Sequence, residues 1–270
     1  MNKLIKKYYE NCFSKTVFDK SNEFQLFKNT ILRKLLIEGK FLYKFFSFNQ
    51  EKQLNKQKLN TLREEKIWCA PYYKFFDKTE FDIQFNAEKF NRSASTHMNA
   101  FDFIEAIKRI SCLASFTYEY SDKMWNDYAN KGNGFCVKYE MLNCDMFFPI
   151  LYDEKKHYDF TEDLIRSFKA MQNAEKYRNI DFLNDPNFVR LGILPFVLKD
   201  LKEYGGEKEL RLLYRVNFIE PKNNYYGSDV LLSDAGLKVS KLILDFDNCS
   251  FREELLNIAK ENNYALEYRY

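Results

Sequence analysis

Apolar and polar residues alternate over several short runs, and between those runs apolar residues recur every three or four positions. A period of two places side chains on the two faces of a strand, whereas a period of 3.6 gathers them on one face of a helix. Strands are therefore predicted over residues 41–48, 66–73, 110–118, 135–141, 147–152, 209–216, 239–246 and 264–270. Helices are predicted over 51–65, 101–108, 123–129, 162–179, 187–204 and 251–261, with Pro195 kinking the fifth. Earlier, Phe24, Leu26, Phe27, Ile31, Leu32, Leu35 and Leu36 keep helical spacing up to Gly39, a residue suited to a helix C-cap. Strands and helices mix without strict alternation. The expected fold class is α+β. It comprises one mixed domain over residues 41–270, with a central, mostly antiparallel sheet flanked by helices, and an N-terminal helical arm over 1–40.

Local punctuation sharpens parts of this pattern. Ser121 and Asp122 can cap the short helix that follows them. Gly132-Asn133-Gly134 precedes a strand and so reads as a turn. Pro71 interrupts the second strand, and Gly205-Gly206 turns the chain into the strand that begins at Glu209.

Composition adds limits. The 270 residues, 46% of them hydrophobic, can bury a sizeable core. No apolar run approaches the roughly 18–20 residues that span a bilayer, so no membrane partner is expected. The first residues lack the apolar segment of a secretory signal, which predicts a cytoplasmic location. The six cysteines are scattered without a C-x-x-C pair, and most fall in apolar runs as small buried hydrophobes. The net charge of +3 permits an anionic ligand without demanding nucleic acid. Abundant Lys, Asn, Phe, Tyr and Ile fit an AT-rich coding bias, so an aromatic content of 18% does not by itself make a stacking platform.

Several chemistries are excluded. Neither His97 nor His157 has Cys or His at ligand spacing, so no metal is expected. There is no G-x-S-x-G elbow, no P-loop and no G-x-G-x-x-G between a strand and a helix. Asp153-Glu154-Lys155 is too common a triplet in such a chain to argue for a nuclease.

Three constellations remain. Trp125 and Tyr128 lie three apart on a helix and share a face, either as a stacking wall for a planar ring or as a cap on the core. Glu207, Glu209 and Arg211 alternate onto one face of a strand, with Leu210 and Leu212 on the other. That arrangement is either a solvated charge ladder or a carboxylate held by Arg211 and aimed at a developing cation. The strands over 41–48 and 66–73 are candidate walls of a cleft: Phe45, Ile67 and Cys69 read as core, and Tyr43, Lys44, Asp77 and Glu80 as the candidate site positions at its polar tips.

The order of these pieces matters more than any one of them. A Y-K-aromatic strand (Tyr43-Lys44-Phe45) leads to I-W-C-A-P from Ile67 and an acidic segment at Asp77. M-W-x-x-Y-A from Met124, G-F-C from Gly134 and E-K-E-L-R from Glu207 follow. Over residues 42–270 the chain resembles the bacterial family known as domain of unknown function twenty-nine seventy-one. The plan also looks like that of ADP-ribosyltransferases, and this likeness implies NAD as co-substrate. By the resemblance Glu209 is the catalytic carboxylate, Glu207 assists it and Arg211 orients it. Tyr43 and Lys44 would contact the dinucleotide, while Trp125 and Tyr128 would line the nicotinamide pocket. The implied activity is that of an NAD-consuming effector, of the toxin or phage-defence kind, with a protein or nucleic-acid target. The alternative is a non-catalytic module of the same fold that binds a nucleotide or a partner.

Overall fold

The computed structural model describes residues 41–75, 80–94, 100–109, 111–144, 146–153, 158–162, 164–165, 196–215 and 227–269, and ahead of them residues 5, 29–30 and 32–36. The chain folds as an α+β unit around a nine-stranded mixed sheet. In chain order the strands of that sheet are β1 (Phe41–Phe46), β2 (Lys66–Pro71), β3 (Ser111–Thr117), β4 (Phe135–Met141), β5 (Phe147–Pro149), β8 (Glu209–Arg215), β9 (Ser228–Leu231), β10 (Leu237–Asp245) and β11 (Ala265–Arg269). β6 (Leu151–Asp153) and β7 (Leu198–Asp200) form a separate parallel ribbon. The helices are α1 (Lys52–Arg63), α2 (Ala87–Ala94), α3 (Ala100–Arg109), α4 (Asp122–Tyr128), α5 (Leu201–Tyr204) and α6 (Arg252–Glu261).

The main path runs β11-β10-β4-β1-β3-β2-β9, with β8 on β3 and β5 on β8. All its pairs are antiparallel except β10 with β11. Strand β3 is the hub. One edge pairs with β8 throughout, from Ser111↔Arg215 to Thr117↔Glu209. Its other edge changes partner, meeting β2 at Leu113 and Cys112 but β1 at Thr117. β1 and β2 therefore diverge, and Lys44 Nζ reaches across the gap to donate to Ser115 O at 2.9 Å.

Alternation gives the sheet two distinct faces. Leu42, Phe135, Val137, Leu242 and Leu244 enter the main core together with Leu59 and Leu62 of α1 and Leu255 and Ile258 of α6. Each such buried side chain contributes roughly 1.5–3 kcal/mol by leaving water. On the other face Tyr43, Cys136 and Ile243 meet Trp125 and Ala129 in a smaller aromatic cluster under α4. Of the N-terminal arm, Ile5, Leu32, Leu35 and Leu36 are described, and they belong to the main core.

Two expectations are corrected here. The strand predicted over 147–152 is two strands. Pro149 ends the pairing with β8, and Leu151 instead donates to Val197 O and opens the ribbon with β7. The helix predicted over 187–204 is not continuous: Leu198–Asp200 is held as a strand by its parallel pairing with β6, and Asp200 then caps the single turn of α5. The remainder of that helix, that of 162–179 beyond residue 165, and both histidines lie outside the described residues.

Candidate functional site

The start of β8 gathers the largest concentration of buried charge among the described residues. Glu80, Lys199, Glu207, Glu209 and Arg211 are all less than 9% exposed, and Arg211 is fully enclosed. They arrive from four places: the loop before Phe81, strand β7, the turn after α5, and β8 itself. Glu207 lies in the turn just before β8 rather than within the strand, and Lys208 between the two acids has a left-handed backbone, with φ of 49°. Glu207 and Glu209 reach the same ammonium, that of Lys199, at 2.8 and 2.7 Å. Glu80 approaches that ammonium at 3.3 Å.

Arg211 closes the other side. Its Nε donates to Glu209 Oε1 at 2.7 Å and its Nη1 to Phe196 O at 2.9 Å, and its Nη2 pairs with Glu80. The guanidinium also lies 5.4 Å from the Phe81 ring centroid. Burial opposes the charge on Glu209, yet Arg211 and Lys199 outweigh it and hold the carboxyl at about 2. The same attraction, again against burial, raises Lys199 and Arg211 above their ordinary values. Tyr152 completes the shell, its hydroxyl accepting from Glu209 N at 2.9 Å. Counting three carboxylates against two cations, the cluster carries one net negative charge.

Tyr128, the last residue of α4, links this cluster to the rim. It is 41% exposed, and its hydroxyl donates to Glu207 Oε1. Burial, then the hydrogen bond to Glu207, raises the phenol well above its usual range. Tyr43 is one strand further along the same face: Tyr43 pairs with Thr117, and Thr117 pairs with Glu209. Two strand spacings put Tyr43 roughly 9–10 Å from Glu209.

The structure thus brings together Glu207, Glu209, Arg211 and Tyr128, with Tyr43 beside them. It does not bring in the other two expected residues. Trp125 is fully buried beneath α4, its Nε1 donating to Tyr120 OH at 2.7 Å and Phe45 meeting its ring edge-on. Lys44 follows Tyr43 in a strand and so points to the opposite face, between the rings of Phe46 and Phe116. Burial in that wedge brings its amine down to about 8. Of the cleft tips, Glu80 joins the cluster, while Asp77 lies outside the described residues.

Lys199 is the member that sequence reasoning missed. Its surroundings, Phe196-Val197-Leu198-Lys199-Asp200-Leu201, carry apolar residues at spacing that fits a helix, and nothing local marks a lysine that will meet three acids. The three carboxylates are disposed around that ammonium, and no group of three or more His, Cys, Asp or Glu among the described residues is arranged to hold a metal ion. No helix among the described residues is long and apolar enough to cross a membrane.

Comparison with known proteins adds little beyond this geometry. No family model matches the chain, and no solved structure matches it. A protein of Dictyostelium discoideum named "Probable serine/threonine-protein kinase" is 24% identical over 272 residues. The alignment covers 94% of this chain but 17% of that protein, so the chain spans about a sixth of the relative's length.

Proposed function

We propose that the chain is an ADP-ribosyltransferase-like domain that consumes NAD at the corner formed by Tyr128, Glu207, Glu209 and Arg211. One observation carries this reading. Four residues drawn from two separate constellations of the sequence meet in one cluster, with a tyrosine at its rim. The chemistry asks for such a carboxylate. When the bond between nicotinamide and ribose breaks, the electron pair leaves with nicotinamide and positive charge develops on the ribose carbon. A fixed anion opposite that carbon lowers the barrier, as in glycoside hydrolysis. Glu209 is held ionised for that task, Arg211 fixes its direction, and Glu207 with Tyr128 lines the approach. The acceptor is water or a nucleophile of a protein or nucleic-acid target, as expected of an effector enzyme.

The second reading is a nucleotide- or partner-binding module without catalysis. It is supported by the closure of the carboxylates on Lys199 and Arg211, which leaves Glu209 only 3% exposed. The kinase name of the Dictyostelium relative supplies no residue role here. The chain carries no H-R-D motif, its two histidines being followed by Met98 and Tyr158.

Incubation of the purified protein with NAD separates the two readings. The transferase reading expects nicotinamide release that Glu209→Gln abolishes while the thermal transition stays cooperative. Absence of release with candidate targets supplied, together with thermal stabilisation by NAD, supports the binding module and overturns catalysis. Release that survives Glu209→Gln removes Glu209 from the mechanism.

A further inference from the structure

Lys199 stands on a ribbon outside the main sheet, yet its single ammonium touches three carboxylates belonging to three different segments. We infer that Lys199 is a positioning residue, whose ammonium holds Glu207 and Glu209 side by side as a charged pair facing Tyr128. The geometry leaves it little other work. Its Nζ is packed against the Tyr204 ring of α5 at 4.7 Å, and the side chain is buried. An ammonium enclosed in that way is a costly means of stabilising a fold, since apolar side chains of similar size do so as well or better. What it supplies that an apolar residue cannot is a positive charge between two acids.

The groups facing that pair define what the charge does. Arg211 lies on the β8 side, where its guanidinium contacts Glu209 and Glu80. Tyr152 of β6 meets Glu209 through the backbone, and Tyr128 of α4 meets Glu207 through its hydroxyl. From the turn side, Lys123 of α4 approaches Gly206: a methyl group built there would lie 3.5 Å from Lys123 Nζ. Lys199 is the cation that contacts both Glu207 and Glu209 among the described residues. Without it two carboxylates share a low-dielectric corner, and like charges so placed do not both stay ionised. One of them takes up a proton, and the pair is no longer presented as two anions.

As a role in catalysis this rests on the NAD reading above, but the positioning itself is measured without activity. Glutamate side chains labelled with 13C are titrated by NMR in the wild type and in Lys199→Met. The inference expects the Glu209 carboxyl to titrate at least one pH unit higher in the variant, and Lys199→Arg to return it most of the way. An unchanged Glu209 titration in Lys199→Met overturns the inference. If Lys199→Met does not fold, Glu80→Gln serves instead. It leaves Lys199 with two acids rather than three, so the pair should tighten and Glu209 should stay at or below its wild-type titration. A rise of Glu209 in Glu80→Gln contradicts the assignment. Where nicotinamide release is found, the acid limb of its pH profile should move up in Lys199→Met in step with the NMR titration. Absence of release removes the catalytic role alone and leaves the titration result standing.

Discussion

The corner under α4 is packed with rings, whereas the corner at the start of β8 is packed with charges, although only Thr117 separates Tyr43 in the one from Glu209 in the other. In the first, Trp125, Tyr43, Phe45 and Tyr120 lie with ring centroids 5.4–6.5 Å apart, and the polar atom that needs a partner, Trp125 Nε1, has one. Its stability comes from area removed from water and from edge-to-face contacts, and it contains no carboxylate that acid would discharge. In the second, charges lose hydration and recover it from one another, so its balance depends on every member being present. The difference separates scaffold from candidate chemistry on one sheet face. Tyr128 crosses between them, rooted on the helix that covers the rings and bonded to Glu207.

The largest effects are expected where either corner loses its centre. Trp125→Ala should cost about 3–5 kcal/mol in denaturant unfolding, the scale for emptying a buried aromatic site. Arg211→Met should cost a similar amount, about 3–5 kcal/mol, because Glu80 and Glu209 are left buried with too little positive charge. The two should part in the double variants. Arg211→Met combined with Glu209→Gln removes one charge of each sign and should recover part of the loss, whereas Trp125→Ala combined with Phe45→Leu should recover none.

A smaller effect is expected from acid. Glu209 has a depressed value of about 2 in the fold against 4.5 ordinarily, so the unfolded chain binds its proton first as pH falls. Its contribution is fully present above about pH 4.5 and is lost as pH falls toward 2. Glu209→Gln should therefore flatten the stability curve over that window, while Trp125→Phe should leave its slope unchanged. Lys44 tests the opposite face with the opposite sign. Its amine is lowered to about 8 from 10.5, so between those values the unfolded chain holds a proton that the fold has released. The Lys44 contribution to stability rises with pH across that interval. The wild-type curve minus that of Lys44→Met should slope upward there.

The smallest effect is expected at the crossing point. Tyr128→Phe removes one hydrogen bond at a half-exposed rim and should cost about 1 kcal/mol. A cost near that of Trp125→Ala would show that the two corners are not separate.

Most of the main sheet could be read from alternation. β1, β2, β3, β4, β8 and β10 lie where period-two runs place them, because each has one face in the main core and the pattern records it, and β11 lies where expected although it lends that core only the half-buried Tyr268. β9 and α2 were not predicted: a strand of four residues paired to Lys66–Cys69, and a helix of eight residues with Phe90 as its one large apolar side chain, are too short to repeat a pattern. The ribbon of β6 and β7 was misread for a different reason, since its strands pair with each other across more than forty residues and neither has a local pattern of its own. The site divides in the same way. Glu209 and Arg211 were legible because they share one short strand, Glu207 because it stands two residues before Glu209 in sequence, and Tyr128 because it sits on a short capped helix. Lys199 was not, because only tertiary pairing carries it to the acids. Trp125 illustrates the converse, an aromatic of suggestive spacing whose ring the fold encloses.

The central claim is that the charged corner, and not the aromatic one, receives NAD. The most direct measurement is a titration of the isotope-labelled protein with a non-hydrolysable NAD analogue, followed through backbone amide resonances. The account predicts saturable shifts at Tyr128, Glu207 and Glu209 that are lost in Glu209→Gln. Shifts confined to other surfaces, or none at millimolar analogue, would contradict it.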